Sequence, residues 1–275
     1  MKTFKYAGYS IPYDLVMLTG GGTDDWKEIS DYHEESYKKY TPIEPKHTVL
    51  EVGCGVGRDA IVFSKYLSSS GKYIGFDIIK PSIEWCQNNI TKKHSNFKFY
   101  YYDIESQIHN SGGKITTRDI KLPAKDNSVD RIVLNSVFTH MFEKDIAHYL
   151  KEFRRVLKDD GLVLASFFVA DKKALKAVHT GSRKLGRHPL SFRYRRGLGC
   201  FINDKKYPEG AVAFTPRKIN TMLRKGGLLL EGKIHRGSWS GAEKTANGQD
   251  ILILKKGRLK EVSKQKAGDF EFTNK

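Results

Sequence analysis

The chain has 275 residues, with 48 Lys and Arg against 31 Asp and Glu and a formal net charge of +17. That length suits one sizeable α/β domain with an insertion and is slightly short for two ordinary domains, while the charge favours anionic partners without dictating a fold. The three cysteines, Cys54, Cys86 and Cys200, are far apart and form no CxxC pair, which argues against a disulfide framework or a zinc site and fits a reducing, cytoplasmic setting. Pro12 and Asp14 interrupt the N-terminal apolar patch, so it does not read as a secretion signal. The longest apolar run, GLVLASFFVA at 161–170, has about half the length of a membrane span.

In chain order, DWKEISDYHEESYKKY (25–40) predicts a helix that Pro42 and Pro45 stop. HTVLEV (47–52) predicts a buried strand, RDAIVFSKYL (58–67) a helix and KYIGFDI (72–78) a second strand. PSIEWCQNNITKK (81–93) opens with Pro at a first-turn position and predicts a helix. FKFYYYDI (97–104) and VDRIVLNS (129–136) are the third and fourth strands. KDIAHYLKEFRRVLK (144–158) carries Ile146, Leu150, Phe153 and Leu157 at helical spacing, and Gly161 then precedes the fifth strand, LVLASFFV (162–169). After about forty residues without that alternation comes TPRKINTMLRKGG (215–227), a helix with Thr215 as cap and Pro216 at its first position. LLLEGKIHRG (228–237) and QDILILKK (249–256) have no helix between them and are expected to pair as a hairpin.

Strict alternation of strand and helix implies right-handed βαβ units and a parallel sheet covered on both faces. The expected fold class is therefore α/β: a Rossmann-like doubly wound, seven-stranded, mostly parallel sheet with an antiparallel C-terminal hairpin and a basic insertion after strand five. The expected organisation is an N-terminal helical, substrate-capping segment over 1–46, a main domain over 47–256 with 170–214 inserted as a substrate lid, and a polar tail over 257–275.

The charge is concentrated. Lys172 to Lys206 holds eleven Lys and Arg and one acid, Asp204, so this segment carries +10 of the +17.

VLEVGCGVG (49–57) is a strand running into Gly53, Gly55 and Gly57 directly before a helix, a turn that lets the backbone approach a ligand closely. Asp77, twenty residues past Gly57, ends the second strand, where a carboxylate can accept two hydrogen bonds from a ribose diol. A ribose-containing cofactor follows. The pattern GxGxG preceded by Glu51 is not the GxGxxG of nicotinamide and flavin proteins.

VLEVGCGVG, together with YIGFDI, YYYDI, LPAKDNSVDRIVLNSVFTHM, RVLKDDG and LVLASFFV, resembles the class I S-adenosylmethionine-dependent methyltransferases over residues 47–169, and more loosely over 215–256. Within that family the likeness is to the group that methylates small molecules, lipids and sugars. The resemblance implies S-adenosyl-L-methionine as cofactor. Gly53, Gly55 and Gly57, with Cys54 in the same loop, would line its methionine portion, and Glu51 would lie near the ammonium. Asp77 would hold the ribose and Ile78 would lie against the adenine. Asp103 would accept from the adenine amino group, with Ile104 packing nearby, and Asn135 would face the sulfonium.

A sulfonium methyl is already activated, so the protein chiefly aligns donor and acceptor and removes a proton where the acceptor needs it. His140, in SVFTHMF, is the candidate base by position and titration range, and the same residue can instead orient the loop. Asn135-Ser136-Val137-Phe138 lacks the Pro-Pro-aromatic pattern typical of enzymes acting on exocyclic amino groups of bases or on glutamine. No Cys follows Pro, as the cytosine C5 enzymes require.

In an open α/β sheet the ligand crevice lies beyond the carboxyl ends of the strands, so an insertion after strand five is placed to form an acceptor pocket. Arg193, Tyr194 and Arg196, with Arg236 and Trp239 from the final hairpin, are the candidate acceptor residues, since guanidinium forks match phosphate, sulfate or carboxylate bidentately. The expected partner is a small-molecule, lipid or glycan acceptor that is anionic. RNA tracked by the 172–206 segment is an alternative, as is a non-catalytic cofactor-binding partner module.

Overall fold

The computed structural model describes residues 2–181, 184–185, 188–243, 245 and 248–257. The tail expected beyond Gly257, and Arg183 and Arg187 of the basic segment, lie outside the described residues.

The elements in order are β1 (Thr3–Tyr6), β2 (Tyr9–Pro12), α1 (Tyr13–Met17), α2 (Trp26–Tyr40), β3 (Thr48–Val52), α3 (Arg58–Phe63), β4 (Lys72–Asp77), α4 (Lys80–Lys93), β5 (Phe97–Tyr101) and β6 (Val129–Leu134). There follow α5 (Glu143–Val156), β7 (Leu157–Phe167), α6 (Lys172–Thr180), β8 (Lys184–Leu185), β9 (His188–Pro189), β10 (Tyr194–Arg195), β11 (Cys200–Ile202), β12 (Val212–Phe214), α7 (Pro216–Gly226), β13 (Leu228–Leu230) and β14 (Asp250–Lys256). A seven-stranded sheet runs β13-β14-β7-β6-β3-β4-β5. β3 pairs in parallel with β4 and β6, and β4 with β5, whereas β14 is antiparallel to both β7 and β13. This is the mostly parallel, Rossmann-like sheet with antiparallel C-terminal strands that the alternation predicts. Among the described residues no helix is long and apolar enough to cross a membrane.

The chain divides into two compact units, residues 1–124 with 128–133, and residues 125–127 with 134–275. The first holds the glycine turn. Its core is threaded by a run of rings from α2 through α3 and β4 to β5: Tyr37 to Phe63 at 4.8 Å, Phe63 to Tyr73 at 5.9 Å and Tyr73 to Phe97 at 4.9 Å. Such ring pairs add about 0.5–1.5 kcal/mol each beyond burial of their area. All six residues of α3 are buried. Ahead of α2 lies a β1–β2 hairpin, turning through Ala7 and Gly8 at φ +48° and +78°. The sequence predicts only helix in this segment, because two four-residue strands are too short to show a period.

The second unit begins with α5, whose Ile146, Tyr149, Leu150, Phe153 and Val156 form one buried stripe. β7 starts at Leu157, four residues ahead of Gly161, so Leu157 belongs to the strand and not to the helix. Asp171 caps α6, accepting from the Ala174 amide at 2.7 Å. Thr215 caps α7 by accepting from Lys218, and Gly227 closes that helix at φ +71°, as the sequence indicates. The basic stretch after β7 folds as α6, the β8–β9 pair and a three-stranded antiparallel sheet β10-β11-β12. Beneath it Phe168, Phe192 and Trp239 pack ring against ring at 5.1–5.4 Å.

Candidate functional site

The first unit builds the turn from β3 to α3 as the spacing of its glycines requires. Gly53, Gly55 and Gly57 have φ of +74°, +52° and +80°, a region costly for any residue with a Cβ. The amides of Gly53 and Cys54 both donate to the Phe76 carbonyl at the end of β4, at 2.9 and 3.1 Å, and Gly57 donates back to Cys54. Gly57 serves packing as well as turning: a Cβ there would fall 2.5 Å from Ile90 Cδ1 of α4. Cys54 and Cys86 are buried, and burial pushes both thiols well up, so neither is a ready nucleophile.

Asp77 ends β4 as predicted and is buried against this turn. Its Oδ2 accepts from the Gly55 amide at 2.7 Å and its Oδ1 from the Ile79 amide at 2.9 Å. Burial raises its pKa, and the amide hydrogen bonds oppose that rise. An ionised carboxylate offers about four lone-pair sites, so two remain for a diol. The neighbouring Ile78 is half-buried and offers apolar surface beside that carboxylate.

Glu51, buried at the end of β3, accepts from the Tyr73 hydroxyl. Burial, reinforced by Asp59, holds its carboxyl well above the usual range. A cationic ligand beside it would restore the ionised form. Asp103 is half-exposed and accepts from Tyr101 Oη at 2.7 Å and Asn110 Nδ2 at 3.0 Å; those hydrogen bonds, Asn110 first, hold its pKa down. Ile104 beside it is buried and bridges to Ile115.

Asn135 and His140 belong to the second unit. Asn135 is half-exposed just past β6, followed by Ser136 at φ +57°. The Ser136 amide donates to Ser166 Oγ at 2.7 Å, and Gln249 Nε2 donates to Ser136 Oγ at 2.9 Å. His140 closes a short 3-10 turn, with Nδ1 2.8 Å from the Glu209 carbonyl. A carbonyl only accepts, so Nδ1 carries the hydrogen and Nε2 is the basic nitrogen of neutral His140.

The candidate acceptor residues fall into two groups. Arg193, Tyr194 and Arg196 are exposed, as is Arg195 between them, with the Arg196 guanidinium 3.9 Å from the centre of the Phe142 ring and Lys205 Nζ 4.9 Å from that of Tyr194. Arg236 and Trp239 depart from the expectation that they reach an acceptor: they are 3% and 0% exposed. Arg236 pairs with Asp250 at 3.2 Å and Asp171 at 3.5 Å and donates to the Val169 carbonyl, while Trp239 Nε1 donates to Asp250 at 2.9 Å. Both hold the core of this unit together.

Four residues beside the turn, His33, Tyr37, Arg58 and Asp59, carry chemistry that no sequence motif marks. Asp59, in the first turn of α3, is buried and accepts from His33 Nδ1 at 2.9 Å and from the Tyr37 hydroxyl. Arg58 precedes it. In sequence Arg58 and Asp59 are an ordinary RD pair at a helix start; only their burial marks them out.

A family model described as a methyltransferase domain matches residues 43–227, which include the glycine turn, Asp77, Asp103 and His140. The chain belongs to the class I S-adenosylmethionine-dependent methyltransferases. Its cofactor is accordingly S-adenosylmethionine, and the buried carboxylates Glu51 and Asp77 beside a glycine turn fit the ammonium and ribose of that molecule. The methyltransferase is 27% identical to human arsenite methyltransferase over 144 residues, 48% of this chain and 36% of that protein. It spans well under half the length of the curated relatives it matches. Among solved structures, the PH0226 protein of Pyrococcus horikoshii aligns with a TM-score of 0.58 at 16% identity, covering 87% of this chain and 94% of that one. Phosphoethanolamine N-methyltransferase 1 of Haemonchus contortus, solved with phosphoethanolamine and S-adenosylhomocysteine, aligns with a TM-score of 0.56 at 13% identity over 94% of this chain and 48% of that one. These two likenesses are of fold.

Proposed function

We propose that this methyltransferase transfers the methyl group of S-adenosylmethionine to an oxygen or nitrogen of a small or glycan-like anionic acceptor. The observation that carries the acceptor class is the exposed run Arg193–Arg196, held on the short β10–β11–β12 sheet with Tyr194 between arginines. Planar guanidinium forks match a phosphate, sulfate or carboxylate, and an aromatic ring suits the apolar face of a sugar.

The cofactor supplies an electrophilic methyl on a sulfonium. The glycine turn, Glu51 and Asp77 bind and orient the methionine and ribose ends, with Ile78, Asp103 and Ile104 toward the base. The arginines fix the acceptor's anion. His140, its Nδ1 hydrogen committed to the Glu209 carbonyl, offers Nε2 for a proton leaving a hydroxyl or ammonium acceptor. Asn135 is assigned to the sulfonium side.

The test is methyl-label transfer from S-adenosylmethionine to separate pools of phosphorylated, sulfated and carboxylated small molecules, glycans, and total RNA. Label entering an anionic small-molecule or glycan pool, with weak dependence on salt, is the expected outcome. Label entering only RNA, with binding that falls steeply with salt as phosphate contacts demand, would overturn it. Cofactor binding with no transfer to any pool would favour a non-catalytic module.

A further inference from the structure

Where α5 and α7 end side by side in the second unit, the chain forms a cavity of about 270 Å³. Its walls carry four cations, Lys151 and Arg154 from α5 and Arg224 and Lys225 from α7, and no acid. The acids on the adjoining segments pair with other cations: Glu231 with Lys255, Asp159 with Lys256, and Glu152 and Asp126 with Arg155. Four like charges round one hollow repel one another, and an anion placed among them turns that repulsion into attraction.

Basic side chains at a helix C-terminus ordinarily serve its carbonyl ends. Here that task is already done. The Gly227 amide bonds back to the last turn of α7, the Gly257 amide donates to the Gly227 carbonyl at 3.1 Å, and Arg154 Nη1 donates to the Gly227 and Gly257 carbonyls at 2.7 and 2.9 Å. Two glycines permit this close approach: a Cβ on Gly226 would fall 2.4 Å from Leu150 Cβ, and one on Gly227 2.6 Å from Arg154 Cδ. Arg154 is thus fixed across the end of α7. Lys151 and Lys225, both exposed, add charge that the capping does not use.

The cavity is also remote from the proposed acceptor residues. β14 runs antiparallel to β7, with Asp250 opposite Phe167 and Lys255 opposite Leu162, so Gly257 lies toward the start of β7. Phe192, beside the arginine run, packs on Phe168 just past the other end. At roughly 3.3 Å per residue, β7 separates the two places by about 30 Å.

We propose that this cavity is a second anion site, for a compact phosphate-bearing ligand such as a phosphate monoester or a pyrophosphate. The Nε–Nη2 edge of Arg154, which neither carbonyl uses, is a guanidinium fork that matches two phosphate oxygens, and ammonium groups on long stems adapt to a polyanion. The cations converge on one hollow from two helices, which favours a compact ligand over an extended nucleic-acid backbone.

The test is calorimetric titration of the full chain with inorganic pyrophosphate in a phosphate-free, low-salt buffer. The chain carries Arg193→Gln and Arg196→Gln, which removes the proposed acceptor anion site from the measurement. Binding is expected to persist, and adding Lys151→Gln with Lys225→Gln should weaken it at least about tenfold. Two lysines removed from the first unit instead, Lys72→Gln with Lys98→Gln, should change it less than about twofold. All four lysines are exposed, so these variants are expected to fold. Equal losses from the two pairs would reduce the effect to overall charge and overturn the site, as would no binding in the Arg193→Gln, Arg196→Gln background. A single-stranded RNA oligonucleotide is the second arm: RNA binding that needs Lys151 and Lys225, without pyrophosphate binding, would make this a nucleic-acid surface and overturn the compact ligand. The readout is binding alone, so failure here leaves the proposed acceptor reading standing, and the reverse.

Discussion

Among the described residues each unit buries one arginine, and their surroundings are opposite. Arg236 meets Asp250 and Asp171, and Asp250 in turn accepts from the Val169 and Gly237 amides and from Trp239. That network is closed on itself. Arg58 meets neutral oxygens and an aromatic face, with one donor open. A buried charge that is fully paired fixes structure, whereas one with an open donor carries a stability cost. Burial alone therefore does not distinguish the two arginines; their partners do.

The largest effect that separates the two regions is expected from Asp250→Ala. It strands Arg236, Trp239 Nε1 and two amides in the core and should lower stability by about 3–5 kcal/mol in urea unfolding. Affinity of the folded fraction for S-adenosylhomocysteine should stay within about twofold, since the glycine turn, Glu51 and Asp77 belong to the other unit. Asp77→Ala is the converse: affinity is expected to fall at least about 100-fold by calorimetry, and unchanged affinity would remove Asp77 from the ribose site.

A third test uses pH. Burial pushes the Asp250 carboxyl up to about 6, from an ordinary value of 3.8. A carboxyl whose folded pKa is raised binds its proton more tightly folded than unfolded. Its contribution to stability is full below the unfolded value and is lost as pH rises through about 6. Relative to Asp250→Asn, the wild type should therefore gain about 1 kcal/mol between pH 7 and pH 5. A difference that is flat or of opposite sign would show that Arg236 keeps Asp250 ionised throughout. The smallest effect belongs to the exposed arginines. Arg195→Gln with Arg196→Gln should raise KM for the anionic acceptor about tenfold and leave cofactor affinity within about twofold.

Much of this was legible in the chain. Strand–helix alternation, the capping residues Thr215 and Gly227, and the pairing of Gly53–Gly57 with Asp77 are local patterns, and each stands where spacing places it. What escaped was non-local. Arg236 and Trp239 look like surface recognition residues until Asp250 and Asp171 are brought to them from 14 and 65 positions away. The β1–β2 hairpin escaped because its turn uses Ala7 at positive φ in place of the usual Asn or Asp. Arg58 and Thr19 are 39 residues apart, and the glycine-rich loop holding Thr19 reads locally as a linker.

Asp77 carries a consequence for the thermodynamics of ligand capture. Its carboxylate fastens the Gly55 amide, and the Phe76 carbonyl holds the two residues before it, so the shape of the turn is fixed by hydrogen bonds within the protein. On the proposed ribose role of Asp77, little chain entropy is left to lose on binding the nucleoside, and association should run without a slow rearrangement of this loop. One side chain thereby couples folding to affinity: a substitution that merely loosened the turn would appear in a titration as a less favourable binding entropy before it altered any contact with the ribose.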